Sequence, residues 1–178
     1  MYVLGVDVGG SKTACFVSDE KGNILAKGFG GPGNHQVCGI DVAKKSMETA
    51  VLEGLDGAGL SKKDITYALF GISGADGPED FRILKPAVKE IMGDAVFHIV
   101  NDTWLGLRAG TKDNVGVVSI CGTGAGHAGR NRAGRNWPSA ISTLRQEIWE
   151  EGETCTARRC TSLSAPRREP GRKPGWRK

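Results

Sequence analysis

The length, composition and charge of the chain limit the kinds of protein it can be. It has 178 residues, 27 of them glycine, and a formal net charge of +4. Glycine is about twice as frequent as in an average protein, which suggests tight turns or loops that hold phosphates. The 15 basic and 15 acidic residues before position 137 cancel, so the whole +4 comes from residues 137–178. A neutral body argues against binding to nucleic acid, which requires a basic surface.

Five cysteines at irregular spacings indicate neither a disulfide framework nor a zinc site, because no CxxC pair occurs. The chain begins directly with an apolar strand rather than with a charged segment and an apolar leader. No apolar run approaches the length of a membrane span. We therefore expect a cytoplasmic protein that binds neither membranes nor nucleic acid.

The predicted elements begin with three short strands that fold back on one another. Apolar residues over 2–7, 14–18 and 24–28 are separated by short turns, which is typical of an antiparallel meander. Helices and strands then alternate, with helices predicted over 41–55, 78–92 and 103–109 and strands over 66–72, 96–100 and 116–121. This order predicts an α/β fold whose mixed sheet combines the meander with parallel strands and is flanked by helices on both faces.

The character of the sequence changes near residue 136. Residues 162–178 are rich in Arg, Pro and Ser and lack apolar periodicity, so they cannot bury enough apolar surface to offset the entropy of ordering. We predict an N-terminal lobe over 1–136 and an atypical basic tail over 137–178, largely disordered, with a short amphipathic helix at 141–151. One hypothesis is that a change of reading frame near residue 136 replaced the native sequence. It fails if no other frame of the encoding DNA restores a domain-like sequence.

A glycine-rich loop joins the first two predicted strands. Asp7 ends the first strand, and residues suited to contact phosphate follow it: Gly9, Gly10, Ser11, Lys12 and Thr13. Adjacent glycines let the backbone approach a ligand with its N–H groups pointing at phosphate oxygens. The Asp7 carboxylate can hold Mg²⁺ directly or through water. A plain glycine-rich hairpin is the structural alternative, but a carboxylate so close to the glycines favours a phosphate site.

A second glycine-rich loop follows the strand predicted at 116–121. It consists of Gly122, Thr123, Gly124, Ala125 and Gly126. Two such loops, each after an apolar strand, suggest that one polyphosphate is bound between them. Residues 28–33 and 124–129 also fit G-x-G-x-x-G, but a dinucleotide fingerprint must open a helix directly, and neither segment is predicted to do so.

Two further positions carry polar side chains suited to a substrate. Asn101 and Asp102 follow the strand at 96–100, where α/β enzymes place catalytic groups. A carboxylate there can cap the next helix, or it can take a proton from an attacking hydroxyl in phosphoryl transfer. Asn34, in a turn-rich loop, offers a donor and an acceptor, which suits sugar hydroxyls or an amide.

Taken in order, these motifs resemble those of the BadF/BadG/BcrA/BcrD-type ATPase family, which includes N-acetylglucosamine kinases. The loop after Asp7 is similar to the first phosphate motif of the actin/hexokinase/Hsp70 superfamily, and Gly122, Thr123 and Gly124 are similar to the second. Asn34 and Asp102 stand where those kinases carry substrate residues. The resemblance extends from residue 1 to about residue 135.

The resemblance implies a ribonuclease-H-like lobe of the actin-type ATPases, with ATP and Mg²⁺ bound between two lobes. It implies phosphoryl transfer to an amino sugar such as N-acetylglucosamine, and it allows a homodimer of the full-length protein. The implied roles are Ser11 and Thr123 on the ATP phosphates, Asp7 on the metal, Asn34 and Asp102 on the sugar with Asp102 as general base, and Ala125 and Gly126 as substrate contacts.

The chain departs from the family pattern in two ways. Gly126 replaces an amide-bearing residue of sugar-binding members, which leaves the exact sugar open. Nothing after residue 136 resembles the second lobe, so we expect little or no kinase activity from this chain alone. Two alternatives stay open. One is an ATPase that activates an acyl-CoA dehydratase, which needs cysteines for an iron–sulfur cluster, and the other is a non-catalytic nucleotide or sugar sensor, which would not require Asp102.

Overall fold

The structure, a computed structural model, describes residues 1–122 and 124–137, the last of these by its backbone only. The predictions for the tail beyond residue 137, including the helix at 141–151, lie outside the described residues. The strands are β1 Tyr2–Val8, β2 Thr13–Asp19, β3 Ile24–Gly30, β4 Ile65–Ile72, β5 Val96–Asn101, β6 Gly116–Cys121, β7 Ala125–Arg130 and β8 Asn136–Trp137. The helices are α1 His35–Cys38, α2 Ile40–Ala58, α3 Pro78–Met92 and α4 Asp102–Gly110, with a 3-10 turn at Lys62–Asp64.

The main sheet has five strands in the order β3-β2-β1-β4-β5. The first three strands pair antiparallel, whereas β1 and β4 pair parallel, as do β4 and β5. A separate antiparallel sheet has the order β6-β7-β8. The predicted mixed sheet of an antiparallel meander plus parallel strands is therefore confirmed, and the carboxyl ends of β1, β4 and β5 lie along one edge of it.

Alternation along the central strands determines where the core lies. Every second residue of β1 and β4 is buried on one face of the sheet, where α2 and α3 pack; these residues are Leu4, Val6, Val8, Ala68, Phe70 and Ile72. On the opposite face, the side chain of Leu105 in α4 occupies the space that a Cβ on Gly71 would fill. The predicted helices on both faces are therefore confirmed, and α4 lies between the main sheet and the second sheet.

Helix α2 lies unusually close to β3. A Cβ added to Gly28 would clash with the backbone carbonyl of Ala50, and one added to Gly30 would clash with that of Ser46. Glycine is required at these strand positions because the helix backbone occupies the space of a side chain. Beyond β3, Gly33 lies against β1, since a Cβ on it would clash with Cγ1 of Val8.

The structure differs from the sequence-based expectation at two places. Residues 35–38 form the short helix α1, which was not predicted. The loop after β6 is also shorter than predicted, because Ala125 and Gly126 already belong to β7 and pair with Cys121 and Ile120. In the described part of the chain, no helix combines the length and the apolar character needed to cross a membrane.

Candidate functional site

Three carboxylates gather where the parallel strands end. Asp7 is the second-last residue of β1, Asp76 lies in the loop after β4, and Asp102 is the first residue of α4, directly after β5. Carboxyl ends of parallel strands are the usual place for ligands in α/β folds. Asp102 is close enough to both other carboxylates for their charges to act on it. The sequence therefore located Asp7 and Asp102 at this edge, and the structure adds Asp76.

Burial and like charge both act on Asp102. Burial raises the pKa of the Asp102 carboxyl, and the negative charges of Asp7 and Asp76 raise it further. Burial also raises the pKa of Asp7, although the nearby Lys12 opposes this. A carboxylate whose pKa is raised by burial and like charge is the kind of group that can act as a general base.

The loop between β1 and β2 presents backbone N–H groups. The N–H of Gly9 donates to the carbonyl of Lys12 at 2.9 Å and closes the turn. Within the described residues, the N–H groups of Gly10 and Ser11 have no hydrogen-bond acceptor, so both can donate to an anion. The side chains of Ser11 and Lys12 are exposed beside them.

Thr13 has a structural contact in this loop. Its side chain is fully buried, and Oγ1 donates to the carbonyl of Gly31 at 3.0 Å. The N–H of Gly33 donates to the carbonyl of Gly9 at 3.0 Å. These two bonds hold residues 31–33, just before Asn34, against the first glycine-rich loop. The assignment of Thr13 to nucleotide binding stays a prediction.

Asp7 offers the kind of donor that Mg²⁺ takes in proteins. Carboxylate oxygens, such as those of Asp7, are the ligands that Mg²⁺ prefers. Among the described residues, no three His, Cys, Asp or Glu side chains are arranged to hold a metal ion. Mg²⁺ usually keeps several waters and is bound by one or two carboxylates together with substrate phosphates. Asp7 is the residue that would hold it.

Asn34 is buried at the start of α1 and fixed at both side-chain atoms. Its Oδ1 accepts from the N–H of Gln36 at 3.0 Å, and its Nδ2 donates to Oγ of Ser73 at 3.2 Å. Each atom can make one further hydrogen bond, since an amide has two donors and two lone pairs. The bond to Ser73 brings Asn34 next to the loop that carries Asp76.

The loop between β4 and α3 connects these groups. Gly74 has φ of +85°, and a Cβ there would lie 2.8 Å from Oδ1 of Asn34, so both its conformation and its surroundings require glycine. Asp76 accepts from Nδ2 of Asn101 at 2.7 Å. The Oδ1 of Asn101 also accepts from the N–H of Thr103 at 3.0 Å and caps α4. The site therefore includes Asn101 as a support for Asp76.

The second glycine-rich loop lies toward the same end of α4. Gly116 lies beside Thr111 near the end of α4, and Ile120 contacts Gly106 near its middle, so β6 runs antiparallel to α4 and ends toward Asp102. The N–H of Gly122 donates to the carbonyl of Gly124 at 2.8 Å and closes the turn. Thr123 lies outside the described residues. Ala125 is exposed at the start of β7, whereas Gly126 is buried.

The cysteines bear on the iron–sulfur alternative. Cys15 is fully buried, and burial raises the pKa of its thiol to about 12. Its side chain belongs to the main hydrophobic core, so it is not accessible to a cluster at the surface. Cys38 is half-buried and Cys121 is exposed on a different sheet. These three positions therefore give no support to a cluster ligand set.

Comparisons with known proteins agree with this architecture. Residues 4–136 match the sequence profile of the BadF/BadG/BcrA/BcrD ATPase family. An N-acetylmuramic acid/N-acetylglucosamine kinase of Clostridium acetobutylicum is 33% identical over 137 residues, which make up 76% of this chain and 44% of that protein.

Two solved structures show the same fold. A proposed N-acetylglucosamine kinase from Chromobacterium violaceum has a TM-score of 0.61 at 22% identity, over 76% of this chain and 47% of that one. A ROK family glucokinase from Streptomyces griseus, in complex with glucose and AMPPNP, has a TM-score of 0.56 at 22% identity, over 79% and 49%. At such identities the likeness concerns the fold alone. The chain spans less than half the length of each of these relatives.

Proposed function

The chain belongs to the BadF/BadG/BcrA/BcrD ATPase family, and from this premise we propose that it forms the phosphate- and sugar-binding part of an ATP-dependent amino-sugar kinase. The sugar is N-acetylglucosamine or a close relative, in keeping with the name of the Clostridium protein. The observation that carries the proposal is that Asp7, Asp76 and Asp102 lie at or after the carboxyl ends of the neighbouring strands β1, β4 and β5, where the first glycine-rich loop begins.

The proposed roles follow from the chemistry at each position. The free N–H groups of Gly10 and Ser11 bind phosphate oxygens, with Lys12 beside them and Gly122, Thr123 and Gly124 contributing from the second loop. Asp7 holds Mg²⁺, which would offset phosphate charge when bound. A phosphoryl transfer depends mainly on such positioning and charge stabilisation.

Asp102 is the proposed general base. Its raised pKa makes it a better proton acceptor than an ordinary carboxylate. It stands at the start of α4, where it can accept the proton of a sugar hydroxyl as that oxygen attacks phosphorus. Asn34 binds the sugar through its remaining donor and acceptor, and Ala125 and Gly126 are the further substrate contacts that the family resemblance implies.

Binding measurements test these roles in the chain as it stands. Calorimetry with N-acetylglucosamine should give saturable binding, and Asp102→Asn should weaken it about tenfold, the effect of losing one hydrogen bond to a charged group. The same variant should bind a non-hydrolysable ATP analogue as tightly as wild type. Asp56→Asn, at an exposed position on α2, is the matched control and should change neither.

Transfer itself is tested with MgATP and a panel of sugars. The chain is assayed alone and joined to the remaining half of the Clostridium relative. We expect sugar phosphate from the joined protein, little from the chain alone, and none when Asp102 is replaced by Asn. Sugar phosphate formed at an undiminished rate by the Asp102→Asn protein would contradict the base assignment and favour a different proton acceptor.

A further inference from the structure

One carboxylate behind the candidate site holds two of its loops together. Asp80 lies in the first turn of α3, and its side chain is only 17% exposed. Its Oδ1 accepts from Nε2 of His35 and from Nε2 of Gln36, each at 3.0 Å. Its Oδ2 accepts from the backbone N–H groups of Asp76 at 3.2 Å and Gly77 at 2.8 Å. Four donors from two separate segments therefore converge on one side chain.

The first segment leads directly to Asn34. His35 follows Asn34 in sequence, and its side chain is 5% exposed. Gln36 donates its backbone N–H to Oδ1 of Asn34 and its side-chain amide to the carbonyl of Gly74 at 3.0 Å. Displacing His35 and Gln36 would therefore move Asn34 as well.

The second segment leads to Asp76 and from there to Asp102. Oδ2 of Asp80 holds the backbone of Asp76, whose own carboxylate accepts from Asn101. Asn101 caps α4, and α4 begins with Asp102. Asp80 therefore contacts two segments directly, His35 with Gln36 and Asp76 with Gly77. It reaches Asn101 only through Asp76.

The carboxylate form of Asp80 is favoured by its surroundings. Burial of the Asp80 carboxyl raises its pKa, but hydrogen bonds from Gln36, Gly77, Asp76 and His35 together lower the pKa below its usual value. Asp80 is therefore ionised at neutral pH, and hydrogen bonds to an ionised acceptor are about twice as strong as neutral ones.

We propose that Asp80 is a positioning residue for the sugar: through His35 and Gln36 it fixes Asn34, and through the Asp76 backbone it fixes the loop facing Asp102. The consequence for sugar affinity rests on the proposed function. The role of Asp80 in holding Asn34 and the Asp76 loop in place does not depend on the proposed function.

Asp80→Asn changes this arrangement without changing the size of the side chain. An amide offers an acceptor on one side only. Either the N–H groups of Asp76 and Gly77 or the side chains of His35 and Gln36 then face an NH₂ group. Asp64→Asn is the matched control, because Asp64 also caps a helical turn, accepting from Ser61 N–H at 2.8 Å and Ser61 Oγ at 2.6 Å, but at an exposed position away from the site.

Two readouts separate positioning from simple capping. NMR measures the hydrogen-exchange rates of the Gln36 backbone N–H and of the Asn34 side-chain amide. Calorimetry measures the affinity for N-acetylglucosamine. In Asp80→Asn we expect exchange at both groups to be about tenfold faster and sugar affinity about tenfold weaker. In Asp64→Asn, neither should change. If Asp80→Asn does not fold, Gln36→Ala at an exposed position replaces it in the test. We expect this variant to show both effects to a smaller extent.

Each outcome decides a part of the proposal. If exchange changes only in the first turn of α3, Asp80 is a cap and the positioning role is wrong. If Asn34 loses protection but sugar affinity is unchanged, its role in sugar binding is wrong. If wild type binds no amino sugar, the proposed function fails, while the exchange data still decide whether Asp80 holds Asn34.

Discussion

At the scale of single residues, the position of Asp102 destabilises the folded protein. Its carboxylate is partly buried and faces the negative charges of Asp7 and Asp76. Functional sites commonly contain charged groups that lower stability, because their shifted pKa values serve the reaction. The stability of the protein should therefore depend on the charge of Asp102.

The sign of that dependence is determined by the raised pKa of Asp102. The folded protein binds this proton more tightly than the unfolded chain does, so the ionised group destabilises the fold as pH rises above the usual Asp pKa of about 3.9. Asp102→Asn should therefore be more stable than wild type at pH 7 by about 1 kcal/mol, as single stabilising changes often are. The advantage should shrink toward pH 4.

Urea unfolding at pH 7 and pH 4 measures this difference. Asp56→Asn, on the exposed face of α2, controls for the removal of one surface carboxylate and should stay within about 0.5 kcal/mol of wild type at both pH values. A variant less stable than wild type at pH 7 would mean that the attraction between the Asp102 carboxylate and the N-terminus of α4 outweighs the repulsion among the three carboxylates.

Residue patterns could predict part of this site. Asp7 and Asp102 each lie at the end of an apolar run, and the ends of parallel strands meet at one edge of a sheet. Asp76 and Asp80 gave no such signal, because the partners that connect them to the site, Asn101 for Asp76 and His35 for Asp80, are more than twenty residues away in sequence. Only the packed structure brings them to Asn101 and His35.

At the scale of elements, periodicity predicted the long helices and the apolar strands. It did not reveal α1, because four residues are too few to show a helical repeat. It also did not reveal β7, whose sequence of Ala, Gly, His and Arg lacks β-branched residues and forms a strand through its pairing with β6. Such elements depend on tertiary contacts rather than on local preference.

The contact between α2 and β3 gives a prediction at this scale. Gly28→Ala places a methyl group against the backbone carbonyl of Ala50, so α2 must shift away from the sheet. Overpacking of this kind typically costs about 1–3 kcal/mol, and we expect a loss of at least about 2 kcal/mol in urea unfolding. Gly5→Ala in β1 is the control, since nothing lies within 4 Å of its added Cβ. Equal effects at both positions would contradict the close packing of α2.

At the scale of the whole molecule, the candidate site draws on the main sheet, α4 and the second sheet. The main sheet carries Asp7, Asn34 and the loop of Asp76, and α4 links them to the second sheet. The guanidinium of Arg130 in β7 lies 5.4 Å from the ring centroid of Trp104 in α4, which adds a cation–π contact between the two parts. The chain covers less than half the length of each relative, so closure of the site by a further lobe is part of the proposed function only.

Amide NMR during titration with N-acetylglucosamine and a non-hydrolysable ATP analogue with Mg²⁺ tests the central claim most directly. The sugar should shift the signals of Asn34 and Asp102 saturably, and the nucleotide should shift those of Gly10, Ser11, Gly122 and Gly124. Shifts confined to other surfaces, such as the groove between α3 and β5 lined by Phe97 and His98, or no saturable shift at millimolar ligand, would contradict a phosphate and sugar site at the carboxyl edge of the sheet.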